Sequence, residues 1–406
     1  MSLLAYEEAL SIILEHTKLI DAERVFLSQA IGRVLAEDIL ADTDKPPFDN
    51  SAMDGYAVRY EDIKEASEER PVRLRIAGEL SAGDEKDFKV EKGSAVIIFT
   101  GAPLPDGADC VIPFELTQRE GDYVLIKRAL KIGSNIRRKG EEVKEGQILL
   151  QTGTLIRPYE VGIMASVNKA LVFVYRKPKV AILATGDEIK DVGETINKPS
   201  QIRSSNSYTL LSQVIRDGGE AHYLGIVKDN EEEISSALRS IHNYDVFITT
   251  GGVSMGGKDY IQYLVKDCGI DVKFHKVRIK PAKPVLFGTY GEKGLFFGLP
   301  GNPVSCSMAF DLLVRPAILK MSGRHRYIPD VFKATLKESF HRKDAERREF
   351  VRAYVWFEGE RAYCSYSHKT QSHMLTSYVN MNAYMVVYEG VYEINKDSLV
   401  DVIMFP

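Results

Sequence analysis

The chain has 406 residues, 44% of them hydrophobic and 27% charged, with 53 Lys+Arg against 57 Asp+Glu for a net charge of −4. That length suggests about two to four domains, and the balance excludes a general nucleic-acid binder and a largely disordered chain. The longest apolar runs, such as Ala170 to Tyr175, fall far short of the ~20 residues of a membrane span. Four cysteines with no CxxC pair fit a reducing, cytoplasmic setting and argue against a zinc cage or disulfide framework.

Residues 1–43 read as helical, with Leu10, Ile13, Leu14 and Thr17 on one face and Val34-Leu35-Ala36 in a second short stretch. The N-terminus, with Tyr6-Glu7-Glu8-Ala9, lacks the basic-then-apolar order of a signal peptide. Residues 44–140 alternate short apolar runs with Gly, Pro and Asp, as a β-rich insert would. Gly153 to Val167, with Pro158 at a first helical turn, returns to helix. The first region, 1–43 plus 141–177, is therefore a discontinuous helical linker domain with the insert looped out of it.

Residues 178–325 read as a doubly wound α/β domain. Val180 to Ala184 is a continuous apolar strand, followed by Thr185-Gly186-Asp187-Glu188. A helix follows with Leu210, Leu211, Val214 and Ile215 on one face and Gly218-Gly219 as its stop. The strand His222 to Val227 leads through Lys228-Asp229-Asn230 to a helix opened by Asn230 and Glu233. Val246-Phe247-Ile248 runs into Thr249-Thr250-Gly251-Gly252-Val253-Ser254-Met255-Gly256-Gly257-Lys258-Asp259. Later strands adjoin Lys280-Pro281-Ala282-Lys283-Pro284 and Leu299-Pro300-Gly301-Asn302-Pro303. Repeated βα units imply a parallel sheet between helix layers. Residues 326–406 alternate again and read as a small C-terminal β-barrel.

Ligands of open α/β sheets bind beyond the carboxyl ends of the strands. Loops placed there gather Asp187, Glu188, Asp229, Ser254, Asp259, Lys280, Lys283 and Ser305. Carboxylates beside a phosphate site fit Mg²⁺, which takes one or two protein carboxylates plus substrate oxygens. Lys280 and Lys283, in a segment that Pro281 and Pro284 keep extended, read as an anion clamp. The glycine-rich loop offers backbone N–H groups to a phosphate. Two other readings stand beside this one. Gly252-Val253-Ser254-Met255-Gly256 matches GxSxG, the nucleophile elbow of a serine hydrolase, with His275 or His325 as base. Gly252 to Lys258 approaches a phosphate-binding P-loop, but Asp259 stands where Ser or Thr would hold Mg²⁺. Each loop alone can also be a plain Asp/Gly turn.

The motifs taken together resemble a known family. Thr249 to Gly256, followed by Asp259, resembles the signature of the molybdopterin-binding domain. Pro47-Phe48-Asp49-Asn50-Ser51-Ala52-Met53-Asp54-Gly55-Tyr56-Ala57 resembles the hallmark of the MoeA and gephyrin E-domain type of molybdopterin molybdenumtransferase. Thr100-Gly101-Ala102-Pro103, Ala184 to Glu188, Lys280 to Pro284 and Leu299 to Ser305 follow in the family's order. The resemblance implies four domains, a homodimer and the Mg²⁺-dependent insertion of molybdate into adenylylated molybdopterin, giving molybdenum cofactor and AMP. It implies that Asp229, Ser254, Asp259 and Lys280 handle the adenylate end, with Asp229 and Asp259 on the metal. Lys283, Ser305, Arg352 and Ser372 would match the molybdate site, Gly251, Gly252 and Pro300 would line the substrate, and Asp54, Thr100 and Glu188 would be further catalytic positions. In such dimers the β insert of one protomer faces the α/β domain of the other. An adenylylating protein upstream and molybdoenzymes downstream are the implied partners. The sequence departs from the family at Glu142, where Asp is usual, and at Gln371, where Gly is expected before Ser372. A non-catalytic scaffold is the remaining alternative, and the chain carries no fused extra domain or long linker for it.

Overall fold

The computed structural model describes residues 3–84, 87–252, 264–265 and 267–406. Its contacts divide into two compact units: residues 1–37, 152–161 and 171–406 form one, and residues 38–151 and 162–170 the other. The first unit opens with helix α1 (Tyr6–His16), which buries Tyr6, Ala9, Leu10 and Ile13 on one face. Their i, i+3, i+4, i+7 spacing makes a single apolar stripe, and Glu7 and Glu8 suit the positive end of the helix dipole. The expectation of helix through residue 43 does not hold. Thr17 is already extended, Ala22–Phe26 is strand β1, and Val34 and Leu35 bridge to Leu155 and Val174 as extended chain. The physical reason is a strand partner far along the chain, invisible to the local pattern of residues 17–43.

The second unit holds a six-stranded sheet: β2 (Gly55–Val58), β3 (Val72–Leu80), β4 (Ser94–Ile98), β5 (Cys110–Pro113), β6 (Thr117–Glu120) and β7 (Tyr123–Ile126), in the order β5-β2-β4-β3-β7-β6. β3 and β4 are parallel and the remaining neighbours antiparallel. Tyr56, Leu74, Ile97, Ile112 and Val124 fill one core of this unit, and Val96, Ile98 and Val111 another. Alternation along each strand separates the two sets.

Helix α2 (Pro158–Ser166) begins at the proline, as the sequence predicts. Strand β8 (Leu171–Tyr175) is the distant partner of β1, pairing antiparallel from Ala22↔Tyr175 to Phe26↔Leu171. The α/β layer follows: β9 (Lys179–Thr185), α3 (Ser205–Arg216), β10 (Glu220–Val227), α4 (Glu231–Leu238), β11 (Val246–Thr250), β12 (Asp271–His275), the short β13 (Ile279–Lys280), β14 (Leu286–Tyr290) and β15 (Gly294–Leu299). The main sheet runs β10-β9-β11-β15-β14-β12. Its first four strands are parallel; β14 is antiparallel to both β15 and β12. Val180 and Ile182 join one core and Ala181 and Leu183 the other. A strand covered on both faces reads as an unbroken apolar run for that reason.

Helix α5 (Pro303–Ala309) continues through a π turn at residues 310–314 into α6 (Arg315–Met321). Strands β16 (Phe332–Leu336), β17 (Arg348–Glu358), β18 (Arg361–Tyr366), β19 (Ala383–Val387) and β20 (Leu399–Met404) close a five-stranded barrel in the order β17-β18-β16-β20-β19-β17. Closure leaves no free sheet edge within the ring. Val351, Ala353, Val355, Met385 and Val402 fill its interior. Phe350, Tyr384 and Ile403 point outward into the α/β core, where Tyr384 donates to the buried Asp311 at 2.9 Å. β13 leaves the main sheet and pairs with the start of β17, Lys280 opposite Glu349. The fold is thus the multidomain α/β plus β arrangement expected from the sequence.

Candidate functional site

Residues 186–188 follow β9, 228–230 follow β10, 251–252 follow β11, 276–285 join β12 to β14, and 300–302 follow β15. All of these loops leave the same edge of the sheet, the carboxyl edge of its parallel strands. A cavity of about 470 Å³ opens there between Thr185, Glu188, Arg203, Asn206, Gly251 and Gly301, with Asn302, Pro303 and His373 also on its wall. Glu188 and Gly251 therefore belong to one space. Gly251 sits at φ 95°, and a Cβ there would lie 2.5 Å from the Thr185 carbonyl, so no larger residue fits. Gly252 is the next residue, and Pro300, before Gly301, is buried. Ser305 lies buried in the first turn of α5. The loop that carries Ser372 is fixed to the same turn, because the Val304 N–H donates to the Ser372 carbonyl at 3.0 Å.

Other expected residues are spread more widely. Asp229 follows β10 and Lys280 follows β12, the two lateral edges of the sheet. Five strand spacings separate those edges, about 24 Å. Lys280 is engaged: its Nζ lies 3.1 Å from Glu349 Oε1. Arg342 reaches the same carboxylate at 3.5 Å. The lysine segment is not extended, contrary to expectation. Ala282 takes φ 76°, and both Val277 N–H and Val285 N–H donate to the Lys283 carbonyl. Burying Val277, Ile279, Ala282 and Val285 in the core bends the segment and leaves Lys283 exposed. Arg352 is only 1% exposed. Its Nε donates to Ser377 Oγ at 3.0 Å and its Nη2 to the Lys369 carbonyl. Burial pushes its pKa down, opposed by Tyr378 and Tyr384.

In the second unit, Asp54 and Thr100 meet as a pair. Asp54 Oδ1 accepts from both the N–H and the hydroxyl of Thr100, each at 2.7 Å. These two bonds hold its carboxyl below the ordinary Asp range. Asp49 accepts from Arg138 at 2.6 Å and from the Lys139 N–H at 2.8 Å. Gly55 is required by close approach, since a Cβ there would stand 2.1 Å from the Ile112 carbonyl. Glu142 is exposed, with its N–H bonded to the Lys45 carbonyl.

Ser254 and Asp259 lie outside the described residues, as does most of the glycine-rich loop. His325 is engaged away from the cavity wall: its Nε2 donates to the Thr152 carbonyl at 2.9 Å and its ring packs on Gly153. Cys306, beneath the cavity, is buried and pushed up to about 12 by desolvation, so it is no nucleophile. Among the described residues no three His, Cys, Asp or Glu side chains group to hold a metal. Mg²⁺ needs only one or two carboxylates beside substrate oxygens; Glu188 stands on the cavity wall and Asp229 at the lateral end of the same carboxyl edge. Sequence reasoning missed Arg203, Asn206 and His373 on the cavity wall and Glu349 behind Lys280. The available signal was the polar run Arg203 to Ser207 leading into the first turn of an amphipathic helix. Among the described residues no helix is long and apolar enough to cross a membrane.

A doubly wound sheet with a polar cavity at its carboxyl edge, joined to a closed β-barrel and preceded by a β-rich insertion, defines the class. Family comparison agrees along the chain. Residues 4–168 match the MoeA N-terminal region (domain I and II). Residues 181–320 match a probable molybdopterin binding domain, and residues 333–405 the MoeA C-terminal region (domain IV). The Bacillus subtilis molybdopterin molybdenumtransferase is 34% identical over 389 residues, covering 95% of this chain and 90% of that protein. The Nostoc sp. protein of the same name is 36% identical over 339 residues, 83% and 77% of the two chains. A crystal structure of the Pyrococcus horikoshii molybdopterin biosynthesis MoeA protein superimposes with a TM-score of 0.86 at 34% identity, covering all of both chains. The chain belongs to the MoeA family of molybdopterin molybdenumtransferases.

Proposed function

We propose that the protein inserts molybdate into adenylylated molybdopterin, releasing AMP and forming molybdenum cofactor, as a homodimer in the cytoplasm. The observation that supports this best is the cavity at the carboxyl edge of the sheet, walled by Glu188 and Gly251 and adjoined by the Pro300 and Ser372 loops. Molybdate, phosphate and dithiolene are all negative, so bringing them together requires fixed positive charge. Lys280, Lys283 and Arg352 would supply it. Asp229 and Asp259 would hold Mg²⁺, which when bound neutralises the anhydride oxygens. Glu188, Asp54 and Thr100 would orient the reacting groups; Gly251, Gly252, Ser254 and Pro300 would bind the pterin adenylate; Lys283, Ser305, Arg352 and Ser372 would receive molybdate. Both halves of the reaction then rest on positioning and charge, with no covalent intermediate on the chain. The substrate would come from an adenylylating protein and the product would pass to molybdoenzymes. The test is to incubate the purified protein with adenylylated molybdopterin, Mg²⁺ and molybdate. Molybdate-dependent AMP release, together with activation of an apo-molybdoenzyme, is the expected result. AMP release that ignores molybdate would sink the reading.

A further inference from the structure

Asn206 stands in the first turn of α3, half-buried, on the cavity wall. Its Nδ2 lies 2.9 Å from Thr250 Oγ1 and 2.8 Å from the Gly301 carbonyl oxygen. A carbonyl can only accept, so the amide orientation is fixed: the NH₂ faces Gly301 and Oδ1 is left to accept from a ligand. Thr250 closes β11, and Gly301 follows β15, the neighbouring parallel strand. One side chain thus ties together the two loops whose backbones form the cavity floor.

Neighbouring contacts agree with a brace at this point. The Thr250 hydroxyl lies 3.5 Å from the Pro300 carbonyl, and the Gly251 N–H donates to the Leu299 carbonyl at 3.1 Å. A Cβ on Gly301 would stand 3.8 Å from the Gly251 Cα, so the two loops touch. Gly251 is held at positive φ, which glycine adopts at no steric cost but also does not enforce. Its N–H is fixed by the Leu299 carbonyl, and the Asn206 amide ties the preceding residue, Thr250, to Gly301 across the two loops.

We propose that Asn206 is a positioning residue for the reaction, setting the spacing between the Gly251 and Gly301 loops so that the adenylylated pterin finds both at once. This rests on the molybdate-insertion reading above. The experiment compares wild type with Asn206→Ala and Asn206→Asp in two assays. One is amide hydrogen exchange at Gly251, Gly252, Gly301 and Asn302; the other is KM and kcat for AMP release from adenylylated molybdopterin.

Asn206→Asp keeps the shape but sets a carboxylate oxygen against the Gly301 carbonyl. A side chain that merely filled space would be rescued by Asp; a brace would not. We expect faster exchange at those four amides in both variants and KM raised about tenfold, the effect of one lost buried hydrogen bond or more. Unchanged exchange would overturn the proposal, and so would a KM within twofold of wild type with kcat reduced only by the unfolded fraction. A wild type that releases no AMP would instead count against the insertion reading, and exchange would then decide the brace by itself.

Discussion

Glu349 serves two cations at once. It is buried on β17, with Lys280 at 3.1 Å and the almost fully buried Arg342 at 3.5 Å. Replacing it by Gln leaves Arg342 as an uncompensated buried charge, a change that costs roughly 3 kcal/mol. Denaturant titration of Glu349→Gln should show that loss, and a midpoint equal to wild type would refute the pairing. The Asp54–Thr100 pair makes a prediction in pH. Its hydrogen bonds favour the ionised carboxylate, so the folded pKa lies below the unfolded one. The stabilisation is therefore present above the unfolded pKa, about 3.9, and disappears as the pH falls through the folded value. Thr100→Val removes the hydroxyl and keeps the backbone donor. Asp54 should then titrate closer to, but still below, its ordinary value in an NMR titration; an unmoved midpoint would show that the hydroxyl contributes nothing.

Helix α2 carries its own acid sensitivity. Glu160, in its first turn, accepts from the Arg157 N–H at 2.8 Å and from the Arg157 guanidinium at 2.6 Å. This is the reaching-back half of a capping box. The Arg157 side chain is the largest cause holding Glu160 down at about 2. Its contribution to stability is complete above about pH 4.3, the unperturbed Glu value, and is lost as the pH falls toward 2. Glu160→Gln should flatten the stability profile across that window; an unchanged profile would exclude the pair as its source. In β2, Gly55→Ala forces a methyl into the Ile112 carbonyl and should cost about 3 kcal/mol, read by chemical denaturation. Elements of this kind differ in how well the sequence announces them. β9 was legible because burial on both faces leaves an unbroken apolar run, and α1 because its stripe is local. The local pattern carries helix past His16 because β1 owes its form to β8, roughly 150 residues on. In the lysine segment, two prolines give the look of an extended stretch, whereas core packing at Ala282 and Val285 turns it. Asn206 was invisible for the same reason as β1: its partners at Thr250 and Gly301 are 44 and 95 residues away.

At the scale of the whole molecule, the closed barrel and the main sheet share a core, while the sheet of residues 55–126 packs its own. Four of these cores each hold one cysteine. Cys110 lies in the core beneath β2. Cys306 lies in the α/β core facing α1 and Cys364 inside the barrel, while Cys268 is half-buried against the core beneath α4. Burial raises all four thiols, those of Cys110, Cys306 and Cys364 to about 12. In the native state they are therefore poor nucleophiles, and each becomes reactive only when its surroundings open. The protein comes with an intrinsic set of four chemical reporters, each in a different core. A thiol-reactive dye added in rising denaturant, with mass mapping of the modified sites, should label Cys268 first. The order of Cys110, Cys306 and Cys364 would then tell which core opens before the others. Simultaneous labelling of all four at every denaturant concentration would mean that the cores open together, as one cooperative structure.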